Sequence, residues 1–591
     1  MAKKQAGERP TTVIVPDNDH NQKEENINSK NLFFTGDNLE VLRHLQQNYA
    51  NSVDFIYIDP PYNTGSDGFV YPDKFEYSDD QLKDMFALND DELKRLKSIQ
   101  GKATHSAWLT FMYPRLYLAK KVLKDTGVIF VSIDDNEQAN LKLLMDEVFG
   151  ENSFIEEYIW ESIFRPDNSS PITRKNSEYT LLYAKNKALL KYLVGSTEQS
   201  SGLPSLTKNS MNKSTLSFDG GKVETLLKNG NYKAGIKDSG YELENDVEVV
   251  DGIILNSFKL TGKMIWGQKY LDEQLRSGTK IIIKSENFVP YSKKSGTTSA
   301  PNKIIPKDYV TDYLAARSEV MNLFAGLTVF QYPKPTSLIR YLLKTIDNQN
   351  AKILDFFAGS STTADAVMQL NAEDGGNRQY IMCTLPEPTF TVNSDGKEVP
   401  TKGGETAYKA GYKSIDEISR ERIIRAANKI KEENPLLTES QDFGFKHYRV
   451  VPPTQDTLDK IEYDDTLQLD LFDDMIDAFS SEKLGVAGNA DGFDTILHTY
   501  LAKDNYKFDV PLLMKDFAGM QLPYVNNQRI YLIANNWQAE NTRALVNAIG
   551  KNELVVQTIV VYGYTLEMES LRELEIALNQ LENKVNLQVR Y

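Results

Sequence analysis

Residues 59–62 read Asp-Pro-Pro-Tyr and follow directly on the apolar run Val53–Ile58, VDFIYI. The β-branched and aromatic content of that run, and its length, are those of a core strand. Neither Pro60 nor Pro61 can donate to a ladder, so the strand must stop at Asp59. A proline also forces the residue before it into extended space, which fixes the carbonyl directions of Asp59 and Pro60. The product is a rigid tip, rich in hydrogen-bond acceptors, with an aromatic ring beside it. In an α/β sheet ligands lie beyond the carboxyl ends of the strands, so Asp59, Pro60, Pro61 and Tyr62 are the candidate chemical centre. A plain turn after a strand has the same letters, and the rest of the chain has to decide between the two.

Asp355–Thr362, DFFAGSST, is a second stretch of this kind. An apolar strand ends in an acid, a glycine turn follows, and hydroxyl residues open a helix. This is the form of a nucleotide-type cofactor site, in which Gly359 lets the backbone approach a ligand. The next strand signal, RQYIMCTLPE, closes on Glu387, an acid suited to accept hydrogen bonds from ribose hydroxyls. Asp37, in the TGD that closes an earlier strand, suits a loop-capping role.

The elements that must position these residues alternate. From Asn31 the chain reads as strand NLFFTGD, helix NLEVLRHLQQN, strand VDFIYID, a polar loop, helices to about 125, and strand GVIFVSI. A helix then carries Leu141, Leu144, Met145 and Val148 on one face, with Asp135 and Gln138 spaced as a capping box. The alternation predicts an α/β fold, a doubly wound and mostly parallel sheet covered on both faces. Residues 1–30 lack periodicity and read as a flexible arm. The α/β rhythm runs over 31–189, lapses over 190–325 into short strands and Gly/Ser/Asn/Lys-rich loops, and resumes over 326–452. A unit spanning 453–591 follows an acidic linker and has Leu571, Leu574, Leu578 and Leu581 on one helical face, a core or subunit-interface stripe.

Composition sets the bounds. At 591 residues the chain holds roughly three or four domains of about 150 residues each. Its first residues form no apolar leader, and no stretch approaches about 18 uninterrupted apolar residues, so a cytoplasmic protein is expected. The single cysteine, Cys383, excludes an internal disulfide and a multi-cysteine zinc site. The five histidines are scattered without metal spacing. Net charge is −16, yet residues 161–340 carry 25 Lys and Arg against 18 Asp and Glu, a local excess of +7. A basic middle on an acidic chain is moderate support for a phosphate-binding face there.

DPPY, FAGSST and PKP (Pro333–Pro335), in that order around a basic insert, resemble the amino-group DNA methyltransferases that use S-adenosylmethionine, in their permuted β class. GDNLEVL, IDPPYNTGSDGFVYPDKF, HSAWLTFMYPRL, GVIFVSIDDNE, SEYTLLYAKN and SRERIIRAANK narrow the resemblance to the modification subunits of type III restriction-modification systems, over roughly 31–450. The resemblance implies adenine-N6 methylation of double-stranded DNA. Asp59 and the Pro60 carbonyl would accept from the target amine while Tyr62 stacks on a flipped base. It implies that Asp355, Phe357 and Gly359 cradle the methionine part of the cofactor, that Ala358 and Ser360 of the same turn also bind the cofactor, that Glu387 holds the ribose, that Lys334 lies near the carboxylate, and that Asp37 is a weaker candidate for the adenine side. It further implies target recognition by 190–325, a homodimer, and a separate ATP-dependent restriction subunit, since no GxxxxGK[ST] loop occurs in this sequence. The alternatives are an N4-cytosine enzyme, which usually has Ser at the Asp59 position, and an orphan adenine methyltransferase. One departure stands out: the family's FxGxG has Ser361 as its last residue here.

Overall fold

The computed structural model describes residues 2–64, 103–165, 172–195, 205–208, 210–293, 300–437, 440–453 and 475–590. The loop and helices expected between 65 and 102, and the acidic linker, lie outside the described residues. The chain divides into two compact units, 1–191 with 303–591, and 192–302.

In the first unit nine strands form one sheet: β1 (Val13–Pro16), β2 (Leu32–Thr35), β3 (Val53–Ile58), β4 (Leu123–Ile133), β5 (Phe154–Glu161), β6 (Ser177–Ala184), β7 (Lys352–Asp355), β8 (Gln379–Thr384) and β9 (Lys446–Val451). Their order is β1-β9-β2-β8-β7-β3-β4-β6-β5. Every pair from β9 to β4 is parallel, whereas β6 runs against β4 and β5, and β1 against β9. The late strands β7 and β8 therefore insert between β2 and β3, as a permuted doubly wound sheet requires.

The side chains explain the central position of β3. All its residues but Asp54 are buried, and Asp54 is neutralised by Lys124 at 2.7 Å while accepting the Lys352 amide at 2.9 Å. Ile56, Ile58, Val131, Leu354 and Ile381 pack one face of the sheet against the helices Asn38–Asn48, Ala103–Val122 and Gln138–Phe149. Alternate residues such as Phe55, Tyr57 and Tyr380 belong to the other face. The helices Thr336–Lys344, Thr362–Asp374 and Ile415–Glu433 pack on one another in sequence, and the last two also touch β8. At the end of β2, Gly36 meets β9 so closely that a Cβ would sit 2.6 Å from the Val450 carbonyl, and only glycine fits the turn into Asp37.

Two expectations about the first unit need correction. Residues 1–30 are not a free arm: Ile14 and Val15 are fully buried in β1, which pairs with β9, and the Ile14 amide donates to Thr499 Oγ1 at 2.9 Å. A four-residue strand is too short to show periodicity, but its apolar residues close the sheet edge. The helix Gln138–Phe149 also starts without the expected capping box: Glu137 is its N-cap, Asp135 accepts from the Tyr179 hydroxyl, and Gln138 donates to Glu157.

The C-terminal part of this unit carries a five-stranded sheet, Leu512–Phe517, Met520–Val525, Arg529–Leu532, Thr558–Tyr562 and Asn586–Arg590 in that order. Leu574 and Leu578 of the leucine stripe are buried in its own core and Leu571 and Leu581 pack against it, so the stripe serves folding of this sheet. The helix Gly492–Lys503 packs on β1 and on Asn38–Asn48.

The second unit has its own core, with Leu216, Phe218, Val249, Leu260 and Ile281 between a four-stranded and a six-stranded sheet. It ends at Asn302 rather than near 325. Residues beyond it, such as Val320 and Phe324 of and after the helix Tyr313–Leu323, instead join Ile415 and Ile418 in the first unit.

Candidate active site

The carboxyl ends of β8, β7, β3 and β4 lie side by side, and the singled-out residues stand at those ends: Glu387 after β8, Asp355 closing β7, Asp59–Tyr62 after β3. The crevice is therefore a property of strand order. β6 runs antiparallel to β4, so its first residues reach the same edge, and that brings in Glu178.

Around Asp59 the side chains form a closed cluster. Lys334 Nζ lies 2.9 Å from Asp59 Oδ2 and 3.4 Å from Glu178 Oε2, and it donates to the Tyr313 hydroxyl at 2.9 Å. The Tyr62 hydroxyl lies within donating distance of two acceptors, Asp59 Oδ1 at 2.8 Å and Glu178 Oε2 at 3.0 Å, and its one proton can serve either. The ammonium also sits 4.9 Å from the Tyr62 ring centre, within cation–π range. Lys334 and Glu178 are buried. Burial alone would lower the Lys334 pKa, but Asp59 and then Glu178 outweigh it and hold the ammonium well above its ordinary value. Burial, with Asp59 and Glu178, pushes the Tyr62 phenol far up, so it stays a donor. The Pro61 carbonyl accepts from the buried Trp108 indole at 2.8 Å, which pins the diproline tip, while the Pro60 carbonyl accepts no hydrogen bond among the described residues.

The loop after β7 is built as firmly. Asp355, fully surrounded, accepts from the Phe357 amide at 3.0 Å and from Thr363 Oγ1 at 2.6 Å, and burial pushes its carboxyl up to about 7. Gly359 has φ +50° and Ser361 φ +61°. The left-handed turn that glycine usually supplies is thus retained with a serine, at a strain of about 1 kcal/mol. Arg422, fully buried in the helix Ile415–Glu433, braces this turn: it donates to Ser360 Oγ at 2.9 Å and Thr362 Oγ1 at 2.7 Å and pairs with Asp365 at 3.0 Å. Ser419 donates to the Gly359 carbonyl. Thr362 Oγ1 in turn donates to the Lys334 carbonyl at 3.2 Å, tying PKP to the turn.

Three buried polar atoms at these strand ends have no partner among the described residues: Ser361 Oγ, Thr384 Oγ1 and Glu387 Oε2. Burial pushes the Glu387 carboxyl up to about 8. Unpaired buried acceptors and hydroxyls are costly, and this set fits a hydroxyl-rich, polar ligand in the crevice, such as the ribose and amino-acid parts of a nucleoside cofactor.

Phe357, Ala358 and Ser360, the residues expected to bind the cofactor, are buried in the turn. Lys334, expected beside the cofactor carboxylate, has its ammonium on Asp59 and Glu178. Asp37 caps the helix Asn38–Asn48, accepting from the Leu39 amide at 2.7 Å, with Arg115 at 3.4 Å. Glu178 and Tyr313 were missed. Glu178 had one signal, a lone acid opening the otherwise apolar and aromatic strand EYTLLYA; Tyr313 had none. Among the described residues no group of His, Cys, Asp and Glu could hold a metal ion, and Cys383 is buried and free.

Comparison with known proteins finds a family for this chain. Residues 53–391 match the N6/N4 family model described as DNA methylase, and residues 491–587 match the type III R-M EcoP15I C-terminal domain. The chain is 46% identical to the StyLTI Mod subunit of Salmonella typhimurium, a type III restriction-modification enzyme, over all of this chain and 88% of that one. It is 33% identical to the EcoPI Mod subunit of Escherichia phage P1 and 32% identical to the EcoP15I Mod subunit of Escherichia coli, each over 98% of this chain and 88% of the relative.

Proposed function

The chain belongs to the Mod subunits of type III restriction-modification enzymes, and we propose that it transfers a methyl group from S-adenosylmethionine to N6 of adenine in double-stranded DNA through the Asp59 cluster. The observation that carries this reading is the adjacency of β3 and β7, whose carboxyl ends bring Asp59 and Pro60 to the same sheet edge as Asp355.

When bound, S-adenosylmethionine supplies an electrophilic methyl group on a sulfonium. Ser361, Thr384 and Glu387 would hold it with the polar atoms that have no partner among the described residues, and the Phe357–Ser360 backbone would line it. The adenine amine is a poor nucleophile because its lone pair is delocalised into the ring. Asp59 Oδ and the Pro60 carbonyl, accepting its two N–H groups, favour a pyramidal nitrogen with an available lone pair. The prolines fix that geometry before the base arrives, which is preorganised electrostatic catalysis. Tyr62 presents its ring to a base flipped from the duplex. The proton lost from the methylated nitrogen passes to Asp59, the base already hydrogen-bonded to it.

Residues 192–302 read the target in this proposal. Exposed Lys259 stands between the buried Phe258 and Leu260, and Lys213 and Lys269 are exposed on the same unit; such lysines suit a phosphate backbone. Restriction requires ATP-driven movement and a separate restriction subunit supplies it; the chain forms a homodimer in which one protomer reads DNA while the other methylates. Since the leucine stripe is occupied by its own core, other surfaces make those contacts. Acting on chromosomal DNA, the protein works in the cytoplasm; among the described residues no helix is long and apolar enough to cross a membrane. Incubating the purified chain with DNA and S-adenosylmethionine alone tests the reading. Methylated DNA and no cleavage are expected; a requirement for ATP or for a second polypeptide would overturn it.

A further inference from the structure

Asp59 has two oxygens, and both are taken. Oδ1 accepts from Tyr62 and Oδ2 faces Lys334. An amine entering the site needs one of them. Moving a buried ammonium off its nearer carboxylate with nothing to receive it would leave an unpaired charge in a low-dielectric site, which is strongly unfavourable. The structure provides a second acceptor. Glu178 Oε2 is 3.0 Å from the Tyr62 hydroxyl and 3.4 Å from Lys334 Nζ, so both donors that hold Asp59 already touch one oxygen of another carboxylate. Tyr313, whose hydroxyl accepts from Lys334, completes the frame around the ammonium.

We propose that Glu178 is a positioning residue for methyl transfer: it takes over the Tyr62 hydroxyl and the Lys334 ammonium when the target amine arrives, freeing Asp59 to accept from that amine. The movement is an exchange between neighbouring acceptors and leaves no donor unpaired. Counting charges supports it. With Lys334 as ammonium, Asp59 alone would make the cluster neutral; with Glu178 it carries a net −1, which suits the positive charge that builds on the nitrogen as its bond to the methyl carbon forms and the carbon–sulfur bond breaks. The proton then lost from nitrogen goes to Asp59. This inference rests on the proposed role of Asp59, and its test separates the two.

The test is single-turnover methylation by the full-length protein at saturating S-adenosylmethionine and saturating target DNA, with binding of each measured separately. Glu178→Gln keeps the shape and an acceptor but removes the charge that attracts Lys334. Its methyl-transfer rate should fall about 10²-fold, the scale of losing one preorganised electrostatic partner, with both affinities within about threefold of the unaltered protein. Glu178→Asp, which retains the charge, should recover at least about tenfold of that loss. A Glu178→Gln rate within about threefold of the unaltered protein would overturn the proposal. So would a Glu178→Asp protein as slow as the glutamine variant, or a loss accounted for by weaker binding. Asp59→Ala, run alongside, reports on the role of Asp59 independently: full activity there would sink the catalytic reading, whatever Glu178 does.

Discussion

Lys334 Nζ stands 2.9 Å from Asp59 Oδ2, so a buried cation from one motif rests on the acceptor of another across 275 residues of sequence. PKP is therefore part of the chemical centre, and its charge sets the state of the carboxylates there. Removing it leaves Asp59 and Glu178 facing each other without that counter-ion, which is strongly unfavourable in a buried site.

Lys334→Met should accordingly slow methyl transfer by about 10²-fold, because it removes the cation that balances the two acceptors. Single-turnover methylation rates of Lys334→Met and unaltered protein, at saturating cofactor, check this; equal rates would contradict it.

Cofactor affinity should itself depend on pH through Glu387. Its carboxyl, pushed by burial to about 8, is protonated near neutrality and ionises above that value, when both oxygens become acceptors. Affinity for S-adenosylmethionine should therefore strengthen from pH 7 to 9, by about tenfold if one ionisation controls it. Glu387→Gln should abolish the trend. Calorimetric titration at several pH values decides the matter.

Arg422→Met should disorganise the turn after β7. The guanidinium is fully buried and its loss leaves Asp365 without its cation, a defect of about 3–5 kcal/mol. Denaturant unfolding should show a drop of that size, and cofactor binding should weaken with it.

How much of this was legible in the sequence depends on the range of each signal. DPPY and DFFAGSST were readable because proline and glycine restrict the backbone locally, and the order of strands follows once parallel crossovers are assumed. Glu178 reaches Tyr62 across 116 residues, a contact that no local pattern encodes. β1 was missed because four residues show no period, although their burial closes the sheet. Ser361 shows the reverse: the letter departs from the glycine of the motif, yet the packed turn imposes the left-handed conformation on it.

Specificity should travel with residues 192–302. Replacing this unit, which has its own core, by the equivalent stretch of a relative should change the methylated sequence and leave the chemistry intact. An unchanged sequence in an active chimera would place base reading elsewhere.

The central claim, that Asp59 activates an adenine amine, is tested most directly by mass spectrometry of nucleosides from target DNA treated with S-adenosylmethionine and either the unaltered protein or Asp59→Ala. The expected result is N6-methyladenine with the unaltered protein, a fall of about 10³-fold in its rate of formation with Asp59→Ala, and cofactor affinity preserved. Methylated cytosine as the sole product, or undiminished N6-methyladenine from Asp59→Ala, would contradict it.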